Sequence, residues 1–322
     1  MAVIGAGLVG SSWTAYFLSQ GIEVAAADPA PGAKQRLAAF IRQAWPTLRE
    51  LGMAPDADPD RWSLVPDLES AAPGAEFVQE NVIDDEGLKR DVFARLDAAL
   101  PPEVVIASSS SALLMTPIQK GLRNPERCIL AHPINPPHVV PLVEVSGGEQ
   151  TDPAVLDWAM TFYGAIGKQP IRLNHEIVGH IANRMASALW QEAVSLVDRG
   201  VAGVEAIDMA ITHGPGLRFS AFGPHMTYHL GGGRGGMARY LEHLGASQER
   251  RWRSLGRAKL TPKLRRKLIE GVKSEAGGRS VAELERERDA CLVAILKALR
   301  QAHGGRGQGP RGPGSGPFRR RI

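Results

Sequence analysis

The first 28 residues constrain the fold more than any other stretch. Met1-Ala2-Val3-Ile4 is an apolar run that leads straight into Gly5-Ala6-Gly7-Leu8-Val9-Gly10, the spacing GxGxxG. Ser11 to Gln20 continues with helical patterning and stops at Gly21, and Ile22 to Ala27 makes a second extended run ending in Asp28. The whole predicts a strand, helix, strand unit. Gly5 permits a tight turn, Gly7 lets the backbone approach a pyrophosphate, and Gly10 lets the helix pack closely on the strand. Leu8 and Val9 complete the loop, and the helix after it offers unpaired N–H groups and a positive dipole end to phosphates. Asp28 suits the hydroxyls of a ribose. No arginine follows it to receive a 2′-phosphate, so the unit predicts NAD rather than NADP.

The alternation continues. Ala33 to Leu51 has helical patterning interrupted at Pro46, and Gly87 to Leu100 is an amphipathic helix. Strands are predicted at Trp62 to Val65, Phe77 to Asn81, Val104 to Ala107 and Ile129 to Ala131. This order predicts an α/β fold whose N-terminal part is a Rossmann-type doubly wound parallel sheet. Beyond Arg172 the pattern turns helical, with long helices over Val178 to Arg199 and Val281 to Leu299. The expected organisation is a dinucleotide-binding domain over 1–174 and an all-helical substrate and dimerisation domain over 175–302. A Gly/Pro/Arg-rich tail over 303–322 is expected to be disordered.

Chemistry-bearing residues gather where such sheets bind ligands, just past the C-terminal ends of strands. Ala131 to Glu144 reads AHPINPPHVVPLVE. The prolines hold His132 out of any helix, and Pro141 in the extended run that follows predicts an edge strand. Glu144 at that strand returns toward His132, where a carboxylate fixes the imidazole tautomer and stabilises its charged form. Glu80 lies at another strand end, as a ligand contact or as a solvated terminus. Ser108 to Ser111 follow a third strand, as a soluble turn or as a site for polar ligand atoms. Asn183 lies in the first turns of the helix from Val178, where an amide points back toward the sheet.

The charge balance excludes less than it suggests. The net charge of +4 includes five arginines from His303 onward, a segment without acids, so the rest of the chain is near −1. Nucleic acid is therefore not an expected partner. Arg250 to Lys267, basic around Trp252, reads as an anion-binding patch or as a solvated helix face. Cys128 and Cys291 are too few for a disulfide framework and are expected as buried small hydrophobes, and no Cys/His cluster has metal-ligand spacing. No apolar run is long enough for a membrane span and no basic segment precedes the apolar N-terminus, so the expected location is the cytoplasm.

Four motifs in order, GAGLVGSSW, ASSSSAL, AHPINPPHVVPLVEV and VGHIANRM, resemble the 3-hydroxyacyl-CoA dehydrogenase family over about Met1 to Leu244. The HPxNPP form, the GPGLR loop and GPHMTYHLGGGRGGM are similar to its branch acting on free 3-hydroxy acids, the carnitine and gulonate dehydrogenases. The resemblance implies His132 as catalytic base with Glu144 as partner, and Ser111 and Asn183 as ligands of the substrate oxygen. It also implies Glu80 and Lys89 as contacts near the nicotinamide and ribose, and a homodimer. The expected activity is NAD-dependent oxidation of a small L-3-hydroxy acid to the 3-oxo acid. A CoA thioester is the alternative substrate, and a non-catalytic crystallin-like or NADH-sensing protein is the second alternative. For a carnitine trimethylammonium, Phe219, Phe222 and Tyr228 are cage candidates or core residues.

Overall fold

The computed structural model describes residues 1–302; the tail expected to be disordered lies outside the described residues. The chain divides into two compact units, Met1–Asn183 with the described residues from Asp289 on, and Arg184–Arg288.

The first unit is built on an eight-stranded sheet. Strand β1 (Ala2–Ile4) leads into helix α1 (Leu8–Ser19), followed by β2 (Val24–Ala27), α2 (Ala33–Leu51) and β3 (Trp62–Val65). Then come α3 (Leu68–Ala71), β4 (Phe77–Glu80), α4 (Glu86–Ala99), β5 (Val105–Ser108) and α5 (Met115–Gln119). The sheet is completed by β6 (Cys128–Pro133), β7 (Leu142–Gly147), α6 (Pro153–Ala165) and β8 (Gln169–Arg172). The spatial order is β3-β2-β1-β4-β5-β6-β7-β8. Because β1 lies between β2 and β4, the winding reverses there and opens a crevice at the strand C-termini.

Alternation along the short strands divides the core. Val3 points to one face, where Trp13, Phe17, Leu37, Ile41 and Tyr163 pack, while Ala2 and Ile4 point to the other, with Phe93, Leu96 and Met115. With both faces covered, the strands read as apolar runs.

Three expectations are corrected here. Pro46 does not interrupt α2, which runs unbroken because Ile41, Ala44, Trp45, Leu48 and Leu51 hold both of its halves in the core. The strand carrying Glu144 is not an edge: β7 pairs antiparallel with β6 and parallel with β8. Pro141 stands just outside β7 and uses only its carbonyl, which accepts the Gln169 N–H at 2.8 Å. Cys128 is buried, but Cys291 is exposed.

The second unit is helical. It takes up α7 (His180–Asp198) from Arg184 on and continues through α8 (Val204–Thr212), α9 (Pro215–Ala221), α10 (Pro224–Gly231), α11 (Gly236–Ser254) and α12 (Pro262–Ala276). Its core is small, with Val194, Val197, Ile207 and Leu264 buried. Phe219, Phe222 and Tyr228 are exposed rather than core residues. The last helix, α13 (Val281–Ala302), ends in the first unit, where Val293 is buried with Leu51 and Val139 and Lys297 pairs with Glu50 at 2.9 Å.

Candidate active site

The glycine loop is shaped for a dinucleotide. Gly5 has φ +86°, a left-handed conformation, and a Cβ there would meet the Asn81 backbone at 3.0 Å. A Cβ on Gly10 would stand 1.8 Å from the Gly5 carbonyl oxygen, so α1 approaches β1 as closely as the backbone permits. At Gly7 a Cβ would meet nothing within 4 Å. Space is therefore kept free beside the N-terminus of α1, which no side chain caps. Its N–H groups remain for an anion. Leu8, exposed, and Val9, half-buried, border that opening.

Asp28, at the end of β2, accepts the Ala6 N–H at 2.7 Å through Oδ2 and the Ala30 N–H at 2.8 Å through Oδ1. These bonds fix the carboxylate against the loop and leave it further lone pairs for ribose hydroxyls. The donors, the open cradle and the acid all fit NAD.

His132 and Glu144 are directly opposite in the β6–β7 pair, and His132 Nδ1 lies 2.9 Å from Glu144 Oε2. The other oxygen, Oε1, accepts the N–H groups of Ile181 and Ala182 at 2.8 and 3.0 Å, in the first turn of α7. Burial alone pushes the Glu144 pKa up. The hydrogen bonds from His132, Ala182 and Ile181 outweigh it and hold the carboxyl below its ordinary range. An ionised carboxylate only accepts, so Nδ1 carries the proton and donates it. In the neutral ring Nε2 then carries the lone pair and accepts from the Asn183 amide. Asn183 Nδ2 lies 3.4 Å from it.

Ser111 is placed differently. Its Oγ and N–H both donate to Asp84 Oδ2, at 2.9 and 3.0 Å. Burial raises the Asp84 pKa, but hydrogen bonds from Ser110 and Ser111 and the Lys89 charge bring it below its ordinary value. Glu80 and Lys89 are both fully buried and bound to each other at 2.8 Å. Glu80 Oε2 also accepts from Ser108 Oγ at 2.6 Å and Oε1 from the Val82 N–H. Neither side chain faces the crevice with a free polar atom; the pair braces the ends of β4 and β5 and the start of α4.

His180 escaped the sequence reading. Its ring stacks on His132, centroids 4.5 Å apart and planes 19° off parallel. It is buried, neither ring nitrogen has a hydrogen-bond partner, and φ is +50°. A buried unpaired polar group costs about 1–3 kcal/mol and a left-handed non-glycine backbone about 1–2 kcal/mol more. Nothing in VGHIANRM signals this, because the stack forms with a residue 48 positions away. A brace also went unseen: the His138 N–H donates to Ser12 Oγ at 2.8 Å, joining the loop after His132 to α1.

Two family models match the chain: "3-hydroxyacyl-CoA dehydrogenase, NAD binding domain" over residues 1–177 and "3-hydroxyacyl-CoA dehydrogenase, C-terminal domain" over 179–275. The chain belongs to the 3-hydroxyacyl-CoA dehydrogenase family. It is an NAD-dependent oxidoreductase of 3-hydroxy acids, and the glycine cradle and Asp28 fit that cofactor. Among curated relatives, it is 47% identical to an L-carnitine dehydrogenase of Streptomyces coelicolor over 92% of this chain and 94% of that one. A Burkholderia mallei L-carnitine dehydrogenase is 43% identical over 94% and 95%. A solved structure of an NAD+-dependent 5-formyl-3-hydroxy-2-methylpyridine 4-carboxylic acid 5-dehydrogenase superposes with TM-score 0.75 at 27% identity, covering 93% of this chain and 97% of that one. Among the described residues no His, Cys, Asp and Glu group is suited to a metal, and no helix is long and apolar enough to cross a membrane.

Proposed function

We propose that this chain oxidises L-carnitine to its 3-oxo product with NAD+, using His132 as the base. The observation that carries the chemistry is the His132 to Glu144 bond, which leaves the lone pair on Nε2, the nitrogen turned away from the carboxylate. The substrate is inferred from relatives at 43–47% identity that are L-carnitine dehydrogenases along nearly their whole length.

Oxidising a secondary alcohol removes a hydride from carbon and a proton from oxygen. NAD+, when bound, accepts the hydride. His132 Nε2 takes the hydroxyl proton, and the imidazolium so formed is stabilised by Glu144 across the bond at Nδ1. Asn183, with its amide at Nε2, holds the substrate oxygen as it becomes a carbonyl. Ser111, whose hydroxyl donates to Asp84, keeps lone pairs that can accept from the substrate hydroxyl. Gly5, Gly7 and Gly10 and the start of α1 bind the pyrophosphate, Asp28 the ribose, and the Glu80–Lys89 pair supports the wall behind them.

The helical second unit is assigned to substrate selection and to dimerisation, since Leu189, Trp190, Leu217, Leu241 and Leu244 leave an apolar surface exposed on it. The cytoplasm, where NAD+ is at hand, is its proposed location. Sedimentation tests the dimer. The activity is tested by NADH formation from L-carnitine in the wild type and in His132→Ala. Turnover by the wild type and its loss in the variant, with NADH still bound, is the expected result. Turnover in His132→Ala would remove the base.

A further inference from the structure

His180 is costly where it stands, and the stack on His132 is the contact the fold gives it in return. Gly179 and His180 have φ +78° and +50°, two successive left-handed residues that set the imidazole against the face of His132 at the entry to α7. Burial, and next the neighbouring His132, hold its pKa below the ordinary histidine value, against smaller opposite effects of Glu144, the Ser111 backbone and Asp84. The ring is therefore neutral at physiological pH, with one N–H to donate and one lone pair. Neither nitrogen makes a well-formed hydrogen bond, and the Ser111 backbone is a polar group that the ring faces.

We propose that His180 is the carboxylate-binding residue of the active site, donating an N–H to the C1 carboxylate of the 3-hydroxy acid whose C3 hydroxyl meets His132. This assignment rests on the proposed activity and adds to it the group that selects a free acid. Spacing supports it. The stacked rings stand 4.5 Å apart, and the hydroxyl and carboxylate oxygens of a 3-hydroxy acid are about 3–5 Å apart by ordinary bond lengths. Two parallel imidazoles thus match the two oxygen functions of one substrate, His132 receiving a proton and His180 giving a hydrogen bond. The ring itself is buried, so the substrate would have to enter beside the half-buried Ser111 and Asn183. An ester lacks the full negative charge that makes this bond strong, so His180 favours the acid.

The test measures calorimetric binding of L-carnitine and of 3-hydroxybutyrate, each beside its methyl ester, to the NADH-loaded enzyme, in which the hydroxy acid binds without turning over. Wild type is compared with His180→Phe, which keeps a stacking ring without a donor. A second variant, His180→Asn, keeps a donor and tolerates the left-handed backbone. The expected result is that His180→Phe weakens the acids about tenfold or more and the esters less than about twofold, with partial recovery in His180→Asn. Equal weakening of acid and ester, or no weakening of either, would overturn the assignment. If the wild type takes 3-hydroxybutyrate and not carnitine, the substrate reading fails while the acid-to-ester comparison still decides the role of His180. If it takes carnitine with equal affinity in all three proteins, only the His180 assignment fails.

Discussion

Glu144 holds His132 with one carboxylate oxygen and the first turn of α7 with the other. A single side chain thus fixes both His132, the proposed base, and the helix that carries His180 and Asn183. Replacing it with glutamine keeps the volume and removes the charge. The expected outcome is a fall in kcat of about 10²-fold or more, since an unassisted general base forfeits much of its typical 10²–10⁴-fold contribution, with NADH affinity unchanged in a fluorescence titration.

The same carboxylate makes stability depend on pH with a definite sign. Its pKa is depressed in the folded protein, so its stabilisation is present above the unfolded carboxylate value of about 4.3. That stabilisation is lost as pH falls through the lower folded value. The Tm difference between wild type and Glu144→Gln should therefore be largest near neutrality and shrink on acidification, as thermal melts across that range will record.

The glycine loop offers a contrast between binding and folding. Gly7→Ala adds a methyl group that meets no protein atom and enters the space kept for pyrophosphate. It should leave Tm unchanged and weaken NADH about tenfold or more. Gly10→Ala drives a methyl group against the Gly5 carbonyl, and should lower Tm and abolish NADH binding together.

Away from the site, Arg127 is buried and donates to Asp97 Oδ1 at 2.8 Å and to the carbonyls of Asp97, Pro101 and Val104. Arg127→Ala leaves the Asp97 carboxylate buried without its cation, a change that costs about 3–5 kcal/mol. Denaturant unfolding should show that loss in the midpoint. NADH affinity of the folded fraction should stay at the wild-type value.

Much of the first unit was legible because its signals are local. Glycine spacing fixes the first turn, strand and helix periods alternate, and the twelve residues from His132 to Glu144 are enough to bring a strand back beside its neighbour. What stayed hidden depends on distant partners. Gln169–Arg172 contains Pro170 and does not read as a strand, so nothing local shows that β7 is interior. The helix from Val281 reads as part of the second domain; contacts with distant residues, Val293 on Leu51 and Val139 and Lys297 with Glu50, return its end to the first unit. Cys291 lies on that helix with an exposed side chain that composition alone places in a core. Lys89, which the family resemblance implies as a contact near the cofactor, is bound to the buried Glu80, a pairing that no local pattern shows. His180 acquires its meaning only from the ring stacked against it.

The most direct measurement is the initial rate of NADH appearance with NAD+ and, separately, L-carnitine, L-gulonate, 3-hydroxybutyrate and 3-hydroxybutyryl-CoA. Turnover of L-carnitine well above the other three is the predicted result. Turnover confined to the CoA thioester, or absent with all four while NADH binds tightly, would contradict it.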